Sequence, residues 1–245
     1  MKIAAVTTCH TAGWEQYGRR MSASWRRYWP VPLRVYAEGF AVDGNYLSVD
    51  LPTAAPWLAE FKAKHPYKAR GRYDYRFDAA RFAHKVAAIC AAADAAPAEY
   101  LIWVDADTVT HQAVPPEFVD SLLPGPGEAL SWLDREGKYP ECGFVVFHLP
   151  SCVELLARFK AAYTTGALFN LPEWHDSFVL EQLVHLMDLP AKSLSGEAGR
   201  KTSHPFVNGP LGAYMDHLKG PRKAQGRSSG RDLKVTRTEP YWSKT

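Results

Sequence analysis

The stretch Leu101-Ile102-Trp103-Val104-Asp105-Ala106-Asp107 decides how the rest of the chain is read. Its apolar start, continuous from Tyr100 to Val104, predicts a strand buried on both faces. The run stops on two carboxylates two residues apart. At a strand end, with the turn bending between them, both can project into one pocket. Hard oxygen donors in that geometry suit Mg or Mn, which leave positions open for phosphate oxygens. The plain alternative is that Asp105 caps the next segment and Asp107 is merely solvated. The abrupt break in an apolar strand argues against it.

Working outward, Asp78 to Ala96 predicts an Ala-rich helix with Phe82, Val86, Ile89 and Ala93 on one face, ended by Pro97. Strands are predicted at Ile3–Thr8, at 33–38 and, more weakly, at 47–51. A helix carrying Trp14, Tyr17, Met21, Trp25 and Tyr28 lies between the first two, and a short one surrounds Trp57 to Phe61. Downstream, strands at 129–133 and 143–149 flank a loop at 134–142. Helices follow at 153–163 and 176–187, then a polar loop at 190–204 and a short helix at 211–218. Residues 67–76 are basic and aromatic, the composition of a loop over a site. The alternation implies an α/β fold, a single domain with a central mixed sheet flanked by helices. Ligands in open sheets collect beyond the C-terminal strand ends, which puts Thr7, Thr8, Glu38 and Asp105 to Asp107 along one rim.

Bulk properties exclude other classes. The 245 residues are 47% hydrophobic and 22% charged with net charge +3, the profile of a folded soluble protein. No run approaches the roughly 18 apolar residues of a membrane helix. Met1 to Val6 reads as a first strand, not a signal peptide. Four scattered cysteines with no C-x-x-C pair suggest a reducing, cytoplasmic setting. Charge is uneven, however: His217 to Lys234 holds six Lys or Arg against one Asp.

Three further features carry chemistry. Glu173-Trp174-His175-Asp176-Ser177 precedes an apolar helix, so Asp176 is either a first-turn acid or a general base on an acceptor hydroxyl. His204 sits in a Pro- and Gly-containing segment and is either a plain loop residue or a metal ligand. Arg81 and Lys85, spaced i, i+4, either form a solvated face or reach a diphosphate, and Lys219, Arg222 and Lys223 offer the same from the C-terminal end.

Taken in order, Asp105-Ala106-Asp107, Glu141-Cys142-Gly143-Phe144, Trp174-His175-Asp176 and His204 resemble the motifs of the GT-A glycosyltransferases. The resemblance spans about residues 1–223, with 224–245 left as a basic C-terminal tail. It implies a UDP-sugar donor and a divalent Mn or Mg ion. Thr7, Thr8 and Cys9 would border the base, and Asp105 the ribose or the metal. Asp107 and His204 would bind the ion. Asp176 would deprotonate the acceptor with inversion of configuration, and Glu141, which replaces a small residue of the family's loop, is a second candidate carboxylate.

A narrower resemblance links Glu141 to Phe147, Glu173 to Ser177 and His217 to Lys223 with phage and bacterial relatives of the base-J glucosyltransferases, the TET/JBP-associated group. It implies glucose as the sugar and 5-hydroxymethyluracil in DNA as the acceptor. Arg70, Arg72, Tyr73, Tyr75, Arg76 and the basic end could then track a phosphate backbone; solubility and diphosphate binding explain the same charges. A saccharide or small-molecule acceptor remains the alternative. So do two other classes. Asp105-Ala106-Asp107-Thr108-Val109 fits a haloacid-dehalogenase-like phosphatase locally, but about a hundred residues precede it and no Asp-Asp pair follows. A non-catalytic nucleic-acid-binding protein would leave the Asp and His set without purpose. Oligomeric state has no sequence signal.

Overall fold

The computed structural model describes residues 2–67, 72–95 and 97–243. Arg70, one of the basic residues of the aromatic stretch, and Ala96 at the helix end lie outside them. Among the described residues, nine strands form two sheets. They are β1 (Ile3–Cys9), β2 (Leu33–Ala37), β3 (Leu47–Asp50), β4 (Tyr100–Val104), β5 (Thr108–Thr110), β6 (Leu130–Arg135), β7 (Lys138–His148), β8 (Ala191–Ser193) and β9 (Met215–His217). The large sheet has the order β3-β2-β1-β4-β7-β6-β8. β1 to β4 run parallel, β7 runs against both β4 and β6, and β8 runs parallel to β6. The α/β class with a mixed sheet between helices is therefore the one found.

The β4–β7 pairing fixes the site. Val104 lies opposite Phe144, and the Asp105 amide donates to the Gly143 carbonyl at 2.9 Å. The reversed strand thus delivers Pro140 to Gly143 to the same rim at which β1, β2 and β4 end.

Burial explains the layers. Leu101, Ile102, Trp103 and Val104 are all buried, alternate side chains entering opposite clusters. Leu101 and Trp103 meet the Ala79–Ala95 and Leu149–Thr164 helices through Ala87, Ile89, Leu155 and Phe159. Ile102 and Val104 meet Met21, Trp25 and Trp29, whose two indoles stack at 4.1 Å. The first helical run extends from Thr11 to Tyr28, with a π turn at Trp14–Gly18. Among the described residues no helix is long and apolar enough to cross a membrane. All four cysteines are free and buried.

Several expectations are corrected. Residues 134–142 are not a loop: β6 and β7 form a hairpin that turns at Glu136-Gly137, where Gly137 has φ 65°. The expected loop at 190–204 contains β8 and a Gly196–Arg200 helix. The expected helix at 211–218 is a 3-10 turn, Pro210–Ala213, followed by β9. β9 pairs with β5, a three-residue strand that the sequence reading did not anticipate. A Pro116–Leu122 helix was also unforeseen.

Residues 224–243 lie against the rest of the fold. Ser228 donates from its amide and hydroxyl to buried Asp216 at 2.7 and 2.6 Å, and Tyr241 donates to the same carboxylate at 2.8 Å. Trp242 is buried and donates to the Gly212 carbonyl.

Candidate active site

Beyond the strand ends lies a cleft of two lobes. The wider, about 750 Å³, is bordered by Thr8, Cys9, Tyr17, Glu38 and His84. The narrower, about 480 Å³, is bordered by Tyr75, Tyr139, Glu141, His175 and Asp176. Arg81, Phe82, Lys85, Asp105, Asp107 and Lys223 line both, so the two carboxylates of the central motif stand at the junction.

The short β5–β9 ribbon determines what Asp107 meets. Thr108 pairs with His217, and the Leu218 amide donates to the Asp107 carbonyl at 2.8 Å. His217 Nε2 accordingly lies 3.2 Å from Asp107 and 3.7 Å from Asp105, while Nδ1 lies 2.7 Å from Glu141. One ligand atom each from Asp105, Asp107 and His217 fall within 4.8 Å of one another. Gly143 makes room for the ring: a Cβ there would stand 2.7 Å from His217 Cε1.

His204 does not join that group. It precedes the Pro205–Asn208 turn, its Nε2 lies 3.3 Å from the His217 carbonyl oxygen, and its Nδ1 lies 3.5 Å from Glu141. Its own cluster is Glu141, His204 and His217. Sequence reasoning passes over His217, which lies at the start of a basic run. The signal available was its place two residues before Lys219 and six before Lys223, both of which reach the same carboxylates.

Electrostatics are tightly balanced. Burial opposes the His217 charge, but Asp107 and Glu141 hold the imidazolium up to about 9. Burial would raise Asp107, yet His217 and Lys223 hold it well below the usual carboxylate range; Lys223 Nζ is 2.8 Å away. Glu141 behaves likewise, against burial, with Lys219 at 2.8 Å and His204 beside it. Burial depresses His204 despite Glu141.

Lys85 occupies the cleft floor. The Ala79–Ala95 helix aims its Nζ at Asp105 (2.8 Å), Asp176 (2.6 Å) and the Cys142 carbonyl (2.8 Å). Burial works against its charge, but the two carboxylates hold it well above the usual lysine range. Trp103, two residues before Asp105 on the same strand face, donates its indole N–H to Asp105 at 2.8 Å and lies under Lys85 at 5.1 Å. Asp176 opens its helix, with His175 as the cap: His175 Nδ1 accepts from the Phe178 amide, and Nε2 lies 2.8 Å from Glu173.

The remaining expected residues divide. Thr8 donates to the Tyr36 carbonyl at 2.7 Å and lines the wide lobe beside Cys9, whose thiol burial, Glu38 and Asp107 push up to about 12. Arg81 donates to the Tyr73 hydroxyl at 3.0 Å within the cleft. Thr7 is fully covered one residue deeper in β1 and does not border the cleft. Arg222 does not border it either, because its guanidinium is forked on Asp232.

No family model matches the sequence, and no curated protein sequence matches it either. Solved structures do resemble it. The apo form of mouse xyloside xylosyltransferase 1 has a TM-score of 0.51 at 11% identity, over 80% of this chain and 86% of that one. A glycosyltransferase involved in glycosylation of the major capsid of PBCV-1 has a TM-score of 0.50 at 12% identity, over 92% of this chain and 100% of that one. At such identities the likeness concerns architecture alone: this chain shares with these two glycosyltransferases a central mixed sheet flanked by helices.

Proposed function

We propose that this chain is a metal-dependent glycosyltransferase moving a sugar, with glucose the first candidate, from a UDP-sugar to an acceptor hydroxyl. One observation carries the reading: Asp105, Asp107 and His217 converge where the two lobes meet. Two carboxylate oxygens and an imidazole nitrogen form a donor set that fits Mn or Mg. Bound there, such an ion would neutralise charge on the leaving diphosphate. His217 takes the ligand role expected of His204.

The wide lobe would hold the nucleotide against Thr8, Cys9 and Tyr17, with Glu38 at the end of β2 facing it. Lys223 and Arg81 would reach the diphosphate. Lys219 would help to steady Glu141. The narrow lobe would take the acceptor, its hydroxyl brought to Asp176, which accepts the proton as the oxygen attacks with inversion. A second reading has support of its own. Asp176 is only 4% exposed and already paired with Lys85, which favours a positioning role for it and retention of configuration. Proton NMR of the first-formed product separates the two by its anomeric configuration.

For the acceptor, 5-hydroxymethyluracil in DNA remains testable, but the surroundings favour a saccharide or small-molecule hydroxyl. Lys219, Arg222 and Lys223 are paired with Glu141, Asp232 and Asp107, Arg227 donates to the Tyr241 carbonyl, and Arg76 pairs with Asp74. All of these pairings would have to break for the cations to follow a run of backbone phosphates, whereas one diphosphate asks only for Lys223 and Arg81. The deciding experiment incubates the protein with Mn and a panel of nucleotide sugars, records which is bound or slowly hydrolysed, and then offers hydroxymethyluracil DNA and glycans. A nucleoside gaining one hexose supports DNA. No nucleotide sugar bound, with or without Mn, sinks the whole reading.

A further inference from the structure

A second chamber of about 550 Å³ lies outside the reaction cleft, in the size range of small-molecule sites. Its aromatic lining comes from three separate parts of the chain: His65 and Tyr67, then Phe77, then Phe169 and Trp174. The rings form a connected set. Phe77 meets Trp174 edge-on at 5.1 Å, Trp174 meets Phe169 at 5.0 Å, and Phe169 meets His65 at 4.5 Å. The Trp174 indole N–H is committed to the Leu171 carbonyl at 3.1 Å, and Phe77 is 39% exposed without polar atoms to justify it. Polar groups edge the space: Asp74, Arg72 and Lys64.

A ridge whose Tyr75 and Phe77 are exposed, so that a bound chain can cross over it, separates this chamber from the acceptor lobe. It consists of the Tyr75–Phe77 turn and Trp174-His175, joined by the Trp174 amide donating to the Arg76 carbonyl at 2.7 Å. Rings line both sides. Tyr75 touches Tyr139 across the acceptor lobe at 2.5 Å, and Tyr73, in that lobe, packs on Tyr67 of the chamber at 5.2 Å. Asp176, on the reaction side, is two residues from Trp174.

We propose that this chamber is a saccharide-binding subsite holding the distal residues of an oligosaccharide acceptor whose reacting end lies beside Asp176. The inference rests on the glycosyltransferase reading above. Pyranose rings present C–H faces that pack on aromatic rings and hydroxyl edges that bond to charged and polar groups, which is the mixture found here. Stacked nucleobases would use the same rings, but their phosphates need cations in number. Among the described lining residues Arg72 stands alone for that purpose, since Lys64 is paired with Glu60 at 2.6 Å and Asp74 with Arg76.

The test uses the intact protein on an array of immobilised glycans ranging from monosaccharides to oligosaccharides, with a single-stranded oligothymidylate as a control probe. Calorimetry with Mn and UDP runs alongside. The expected result is retention on at least one oligosaccharide. Phe77→Ala should weaken it about tenfold or more, Phe77→Tyr should restore it, and Mn–UDP binding should stay unchanged in both. Phe77 is exposed enough for both variants to fold, which their melting temperatures would check. No glycan retained while Mn–UDP binds overturns this subsite and leaves the donor reading standing. Glycan retention insensitive to Phe77, or binding confined to monosaccharides, also overturns it. Phe77-dependent binding of the oligothymidylate instead would assign the chamber to nucleobases and overturn it as well.

Discussion

Replacing Gly143 by alanine places a methyl group where the His217 ring sits. The new Cβ would lie 2.7 Å from Cε1 and 2.9 Å from Nδ1, so it falls short of ordinary van der Waals contact, which begins near 3.4 Å, by about 0.7 Å. The ring cannot simply swing aside. Glu141 holds Nδ1 at 2.7 Å, Asp107 faces Nε2 at 3.2 Å, and the backbone of His217 is fixed by pairing with Thr108. Nor can the β7 strand retreat freely, because the Gly143 carbonyl accepts the Asp105 amide. Overpacking of this kind costs roughly 1–3 kcal/mol. For a chain of this size each kcal/mol lowers Tm by about 2–4 °C. The sharper effect is on the ligand set: displacing one ligand's support lowers metal affinity about 10–100-fold. Calorimetry should show a fall of that size in Mn-dependent UDP affinity, with a small drop in Tm by scanning fluorimetry. Gly230→Ala, where an added Cβ meets nothing within 4 Å, is the control and should change neither. Wild-type UDP affinity and Tm in Gly143→Ala would refute the argument that His217 occupies a fitted seat.

Lys85→Met should destabilise the fold by roughly 3–5 kcal/mol, because it strands the carboxylates of Asp105 and Asp176 without their cation. Adding Asp176→Asn should recover part of that loss in urea denaturation; a double variant no more stable than the single one would show that the pairing is not the cause. His111 supplies a pH-dependent prediction. Burial between Tyr241 and Trp242 pushes its imidazole down from 6.5 to about 4. The unfolded chain therefore binds the proton more readily between those values, and this contribution to stability falls as pH drops through that window. His111→Phe, which can keep the stack at 4.2 Å on Tyr241, should flatten the stability profile between about pH 4 and 6.5. An unchanged slope would mean that His111 takes up its proton in the folded state as well.

Much of this arrangement was legible because it is local. An apolar strand that stops on two carboxylates announces itself, and so does an Ala-rich helix with Lys85 beside its buried face. Asp176 could be placed at a helix start for the same reason. The pieces that escaped depend on pairing across long stretches of chain. β5 and β9 have three residues each and meet across more than a hundred positions, so neither has a periodicity to read. That ribbon brings His217, rather than His204, beside Asp105 and Asp107, and before folding both are single histidines in turn-rich sequence. Thr7 and Arg222 lie off the cleft for related reasons. One is covered by neighbouring strands, and the other is claimed by an aspartate ten residues away.

The role proposed for Asp105, Asp107 and His217 is to hold together the divalent ion that anchors the donor diphosphate. It is tested most directly by titrating UDP into the wild type and into Asp107→Ala, His217→Ala and His204→Ala, with and without Mn. Mn-dependent UDP binding is expected in the wild type, lost in Asp107→Ala and His217→Ala and largely kept in His204→Ala. Binding that ignores Mn, or that survives in His217→Ala while vanishing in His204→Ala, would contradict it.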